Sequence, residues 1–135
     1  MSGGVDSSYV AMFYKEAGAE VFGITGLMTS DEASIEVVKN SKAVCDFLGI
    51  GHYVVDLSDS FEKEVIDYFK NSYKQGLTPN PCVVCNRKIK WGKLKDFAMN
   101  SLGADFFATG HYAKLQKEAD GYKLYHAKDE KKDQL

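Results

Sequence analysis

The chain has 135 residues, 44% hydrophobic and 27% charged, which fits one soluble globular domain with one core and leaves too little for a second. A net charge of -2 excludes a global attraction to nucleic acid, so any such attraction must be local. Three cysteines, two of them in a C-x-x-C, argue against a secreted disulfide scaffold, and no apolar run or basic-then-apolar leader argues for a membrane span or signal peptide, so the expected location is the cytoplasm.

The predicted elements alternate. Residues 7–17 read as a helix with Val10, Phe13, Tyr14 and Ala17 on one face and Gly18 as the stop, followed by a strand at EVFGIT, residues 20–25. A second helix spans 31–48, with Ile35, Val38, Cys45 and Leu48 sharing a face and Gly49 ending it. HYVVDL, residues 52–57, is a strand. A third helix starts near Ser60, with Asp59 and Glu62 resembling a capping box, Phe61, Val65, Phe69 and Tyr73 as its apolar stripe, and Gly76 closing it. After TPNPCVVCN comes a fourth helix, roughly 87–102, with Leu94, Phe97, Ala98 and Leu102 facing inwards and Gly103 as the cap. ADFFATG reads as a strand, and the tail turns at Asp120-Gly121 as a β-hairpin. The expected fold class is α/β, an open, mostly parallel, doubly wound sheet. Ligands gather at the carboxyl ends of such strands, so the opening loop, the loop after EVFGIT and the TG-HY turn are expected to converge.

The opening stretch, SGGVDSS, puts two glycines where backbone must approach something closely, directly before a helix. The first-turn N–H groups and the positive end of the helix dipole suit a phosphate, and Ser2, Ser7 and Ser8 add hydroxyl donors. Asp6 cannot donate to a phosphate when ionised, so it suits Mg²⁺ or holds the loop. No lysine stands where a P-loop would need one. The plainer reading is a glycine turn and a helix cap.

In TPNPCVVCNRKIKWG, Pro79 and Pro81 stiffen a loop and keep the residues before them extended, with Asn80 and Cys82 beside them. Cys85 is expected at the helix start beside Arg87 and Lys88, which would favour its thiolate. Lys90, Lys93 and Lys95 with Trp91 form a local basic patch with an aromatic, suited to an RNA backbone and a stacked base. Two plainer readings compete. The C-x-x-C could be half of a zinc site completed by Cys45 or by His52, His111 or His126, and the basic run could be a solvated helix face.

SGGVDSS resembles the pyrophosphate loop of ATP pyrophosphatases. Together with NPCVVCNRKIKWG, ATGHYA and KKDQ, in that order, it resembles the tRNA-specific 2-thiouridylase family. The resemblance implies a tRNA-modifying sulfurtransferase: ATP adenylates C2 of the wobble uridine, and sulfur from a cysteine persulfide displaces AMP. It implies that Ser2, Gly3, Gly4, Val5, Asp6 and Ser7 hold ATP with Mg²⁺, and that Gly26 and Gly110 also contact the nucleotide, although ITGLMT departs from the commoner family pattern. It implies that Asn80, Pro81 and Cys82 meet the target base, that Cys85 is the nucleophile, and that His111, Lys132, Asp133 and Gln134 touch tRNA. The implied partners are tRNA and a persulfide sulfur carrier or cysteine desulfurase, with no membrane and no resident metal.

Residues 1–112 are expected to form the ATP-binding domain and 113–135 a hairpin extension leading into a linker. The family's first strand, before the glycine loop, and its persulfide-bearing cysteine, beyond KDQ, have no counterparts here, so the expectation is an incomplete chain that does not thiolate tRNA alone. The rival readings are another ATP pyrophosphatase or synthetase with the same loop, and a non-catalytic nucleotide- or RNA-binding remnant.

Overall fold

The computed structural model describes residues 1–126. Helix α1 spans Val5–Glu16, strand β1 Phe22–Leu27, helix α2 Glu32–Leu48 and strand β2 Gly51–Asp56. A helical run over residues 58–74, α3, follows, with a wider π-helical segment at Glu62–Ile66. A second run over residues 81–101, α4, is π-helical at Cys85–Leu94 and Phe97–Ser101. Strands β3, Lys114–Glu118, and β4, Gly121–Tyr125, close a hairpin.

The α/β reading holds: β1 and β2 pair in parallel, from Phe22 opposite Gly51 to Leu27 opposite Asp56, with α2 as the crossover. Parallel pairing needs such a crossover, and a strand covered on both faces is buried continuously. Gly23, Ile24 and Thr25 show that pattern. A Cβ on Gly23 would lie 2.5 Å from the Cys45 thiol of α2. On the opposite face, Ile24 joins Leu57, Val65, Ile89, Leu94 and Ala98 in the core. The free edge of β1 is partly covered, because the Met1 ammonium donates to the Ile24 carbonyl. Among the described residues the buried polar side chains are partnered. Thr25 Oγ1 donates to the Met1 carbonyl at 3.0 Å, and Ser41 Oγ donates to the Val37 carbonyl at 2.8 Å.

Local chemistry explains the boundaries. The Asp31 carboxylate accepts from the Ser34 amide at 2.7 Å and caps α2, while Gly49 ends it at φ 61°. The capping box expected at Asp59 and Glu62 is not what starts α3. Asp56 accepts from the Ser58 amide at 3.0 Å and the helix begins two residues early. Asn80, whose side chain accepts from the Val83 amide at 3.3 Å, starts α4, with Pro81 in the first turn. The fourth helix therefore begins six residues before the expected Arg87.

Wider turns also change which side chains point inwards. In α4 the buried residues are Ile89, Leu94 and Ala98, spaced five and four apart. That spacing suits i→i+5 winding, as in the Leu102 amide donating to the Phe97 carbonyl. In α3, Val65 is buried, but Phe69 and Tyr73 are exposed and stack edge to face at 5.0 Å, and Ser72 takes the inner position. Residues 104–109 are not a strand. They run beside α4 without a ladder partner among the described residues, holding Phe107 on the core and leaving Phe106 at 90% exposure.

Ile89 is fully buried at the centre of this packing. Ile89→Ala is expected to cost about 2–5 kcal/mol, read as a lower denaturant midpoint at unchanged slope; a loss below about 1 kcal/mol would contradict the packing described.

Candidate active site

The start of α1 is built as an open cradle. Gly3 takes φ 70°, which favours glycine, and a Cβ there would lie 2.7 Å from Cβ of Asn40. Gly4 is the extended N-cap and brings no side-chain acceptor to the first turn. Its carbonyl instead accepts from the Ser8 amide at 3.1 Å and from the hydroxyls of Ser7 and Ser8 at 3.1 and 2.8 Å. The Ser2 amide reaches Ser7 Oγ at 3.4 Å. The result is a compact turn whose helix start carries the positive end of the dipole, with no side-chain cap and with Asp6 in its first turn. Val5 beside it is 83% exposed.

The TG-HY turn packs directly on this loop. A Cβ on Gly110 would lie 3.0 Å from the backbone carbon and Cβ of Asp6 and from the Ser7 amide nitrogen, so only glycine allows the approach. The Tyr112 hydroxyl donates to Asp6 Oδ1 at 2.8 Å. His111 Nδ1 lies 2.9 Å from Thr109 Oγ1. Val5, Asp6, Tyr9 and Val10 face residues 109–115 across a groove of about 700 Å³.

The cysteine-bearing helix reaches the same region through Trp91. Its ring meets Phe107 edge to face at 5.6 Å and lies 6.4 Å from the His111 ring. Trp91 and Phe107 line a second groove with Tyr9, Val10, Phe13 and Tyr14 of α1, which shares Tyr9, Val10 and Thr109 with the first. Cys85 itself is half-buried against the core, and Cys82 is exposed.

The electrostatics differ from expectation. Burial pushes the Cys85 thiol above its ordinary value; the Lys90 charge opposes this and Cys82 adds to it. Arg87 and Lys88 do not activate it: Lys88 pairs with Glu64 across to α3. Burial, then Lys90, holds His111 below the ordinary histidine value. Lys90 thus acts on both the thiol and the imidazole, which places them in one electrostatic neighbourhood.

Of the residues singled out by sequence, Ser2, Gly3, Gly4, Val5, Asp6, Ser7, Gly110 and His111 stand together. Asn80, Pro81 and Cys82 form the first turn of α4. Gly26 does not follow a strand but lies within β1, and a Cβ there would meet Met28, Leu57 and Leu94, so it serves close packing on the core side. Lys132, Asp133 and Gln134 lie outside the described residues. Cys45 is fully buried on α2, and among the described residues no three His, Cys, Asp or Glu side chains are grouped to hold a metal ion. Among the described residues no helix is long and apolar enough to cross a membrane. Sequence reasoning missed Tyr112 and the double role of Lys90. The signal for Tyr112 was its place directly after Gly110-His111.

A family model described as "tRNA methyl transferase HUP domain" matches residues 1–135. The chain is 53% identical over 116 residues to a Fusobacterium nucleatum protein named tRNA-specific 2-thiouridylase MnmA 1, covering 86% of this chain and 30% of that protein. Proteins named tRNA-specific 2-thiouridylase MnmA from Persephonella marina and Clostridium kluyveri are 46% and 45% identical over 143 and 144 residues, each match covering 99% of this chain and 40% of the relative. The chain therefore spans 30% to 40% of the length of these relatives.

In a Cys82→Ser background, the pH midpoint for alkylation of Cys85 is expected above the ordinary thiol value of about 8.5. Removing the opposing charge with Lys90→Ala is expected to move that midpoint higher, and to raise the His111 titration seen by NMR. A midpoint that falls, or stays fixed for both groups, would contradict the shared influence of Lys90.

Proposed function

The chain belongs to the tRNA methyl transferase HUP domain family, and from that premise we propose that it is the nucleotide-binding part of a tRNA-specific 2-thiouridylase. The reading rests on one observation above the others: Gly110 packs on Asp6 and Ser7, so the phosphate-type loop and the Trp91 side of the cysteine helix border two grooves that share Tyr9, Val10 and Thr109 as walls. The relatives' names point the same way. A phosphate-type loop and a thiol pair in one domain suit adenylation followed by sulfur transfer, whereas transfer of a methyl group from a sulfonium needs neither.

In this proposal Ser2, Gly3, Gly4, Val5, Asp6 and Ser7 hold the phosphates of ATP. The donor set fits: glycine backbone, serine hydroxyls and an N-cap glycine that brings no side-chain cap to the first turn. Asp6 supplies the carboxylate for Mg²⁺, held in place by Tyr112. Gly110 keeps backbone close to the loop that would hold the nucleotide. When bound, ATP turns the C2 oxygen of the wobble uridine into a leaving group. Asn80, Pro81 and Cys82 receive that base, and His111 with Lys132, Asp133 and Gln134 contacts the tRNA. Cys85 forms the bond that draws sulfur from a persulfide, brought by a carrier protein or a cysteine desulfurase. Cys45 is not that persulfide cysteine, because it is fully buried against Met1 and β1.

The finer architecture also belongs to this proposal. With helices on both faces of β1, and residues 104–109 lying extended beside the opening loop, we read the domain as part of an open doubly wound sheet. Residues 1–112 act as its ATP-binding unit and 113–135 as a hairpin extension.

Calorimetry of this chain with MgATP is expected to show saturable binding that weakens at least tenfold, about 1.4 kcal/mol, in Asp6→Ala. Circular dichroism should show the variant folded. Equal affinity in the two proteins, or no binding by either, would overturn the assignment of the loop.

A further inference from the structure

Cys82 has no role in the packing. Its side chain is exposed, makes no hydrogen bond among those described, and belongs to no metal-ligand group. Yet it stands three residues before Cys85 in the first turn of α4, directly after Pro81. Helical rise and radius put Cα atoms three residues apart at about 5 Å. A disulfide requires Cα atoms roughly 4.4–6.8 Å apart, which this spacing meets, and Cβ atoms about 3.5–4.5 Å apart, against about 5–6 Å on a regular helix, so ring closure needs only a local tightening of this first turn. The wider turns start only at Cys85, so the link between the two residues is α-helical. The two thiols sense each other: Cys82 contributes to raising Cys85. The third cysteine does not compete, because Cys45 is fully buried.

We propose that Cys82 and Cys85 form a dithiol–disulfide couple that exchanges with low-molecular-weight disulfides, with exposed Cys82 as the entry thiol and half-buried Cys85 as the closing one. This goes beyond the function proposed above and requires neither ATP nor tRNA. In the first step the Cys82 thiolate attacks one sulfur of a small disulfide such as glutathione disulfide. A Cys82–glutathione bond forms, the glutathione S–S bond breaks, and one glutathione thiolate leaves. In the second step the Cys85 thiolate attacks the Cys82 sulfur and expels the second glutathione. The two protons released by the protein thiols are taken up by the departing thiolates. The cysteine pair is oxidised by two electrons and one glutathione disulfide becomes two glutathione molecules. The closed ring occupies Cys85 and removes it from any other sulfur chemistry until a thiol reopens it. Entry at Cys82 follows from exposure, since attack on an external disulfide needs access as well as thiolate.

The test uses the reduced chain, glutathione disulfide, an alkylating quench and tryptic mass spectrometry. Residues 75–87 form one tryptic peptide holding both cysteines. The wild-type peptide is expected to lose two hydrogens and carry no adduct. Cys85→Ser should accumulate a single glutathione on Cys82, and Cys82→Ser should react at least tenfold more slowly than wild type. The proposal is overturned if the wild-type peptide stays reduced or carries two glutathiones. It is equally overturned if Cys82→Ser gains an adduct on Cys85 as fast as the wild-type ring closes.

Discussion

The arrangement depends on one close approach of backbone to backbone. Gly110 lies so near Asp6 and Ser7 that a single added carbon would stand 3.0 Å from three of their atoms. That contact seats the turn at 109–112 on the first turn of α1. From it follow the Tyr112–Asp6 hydrogen bond, the position of His111, and the placement of Phe107 and Trp91 beside Tyr9 and Val10. A side chain at residue 110 would force the opening loop to give way by a few tenths of an ångström at this contact.

Charge and burial pull against each other at the other wall. The basic run of α4 looks from its sequence like an activating field for Cys85, but the helix distributes it differently. Lys88 turns to Glu64, and Lys90 is the cation that reaches the thiol and His111. Burial against the core outweighs it at Cys85, so the resting thiol sits above its ordinary value. The same cation and the same burial both lower His111, favouring a neutral imidazole that can accept as well as donate a hydrogen bond. The thiol at rest is therefore held protonated by burial, while the imidazole is held neutral.

Much of this was legible in the order of residues because it is local. Asp31 and Gly49 bracket α2 through side-chain capping and a positive φ, and both effects act within a few residues. The glycine loop before α1 and the Asp120-Gly121 hairpin are local in the same way. What was not legible depends on winding and on distant partners. A period of 3.6 carried inwards from Leu94 points to Lys90 and Trp91, whereas the wider turns bury Ile89. ADFFATG has the composition of a strand, but composition does not supply a ladder partner, and the segment packs through Phe107 instead. Gly26 looked like a loop glycine because the strand expected from sequence ends at Thr25; its function in the fold is to let Leu57 and Leu94 close on β1. Tyr112 could not be paired with Asp6 from sequence, since 106 positions separate them.

The amino-terminal loop and Trp91 of the cysteine-bearing helix border grooves that share Tyr9, Val10 and Thr109. Trp91, the only tryptophan in the chain, stands against Phe107 and against His111, the neighbour of Gly110. Its fluorescence, followed during titration with MgATP, reads the coupling directly. A saturable change in emission with the same midpoint as the heat of binding is the predicted result; heat of binding with an unchanged Trp91 spectrum would contradict the account.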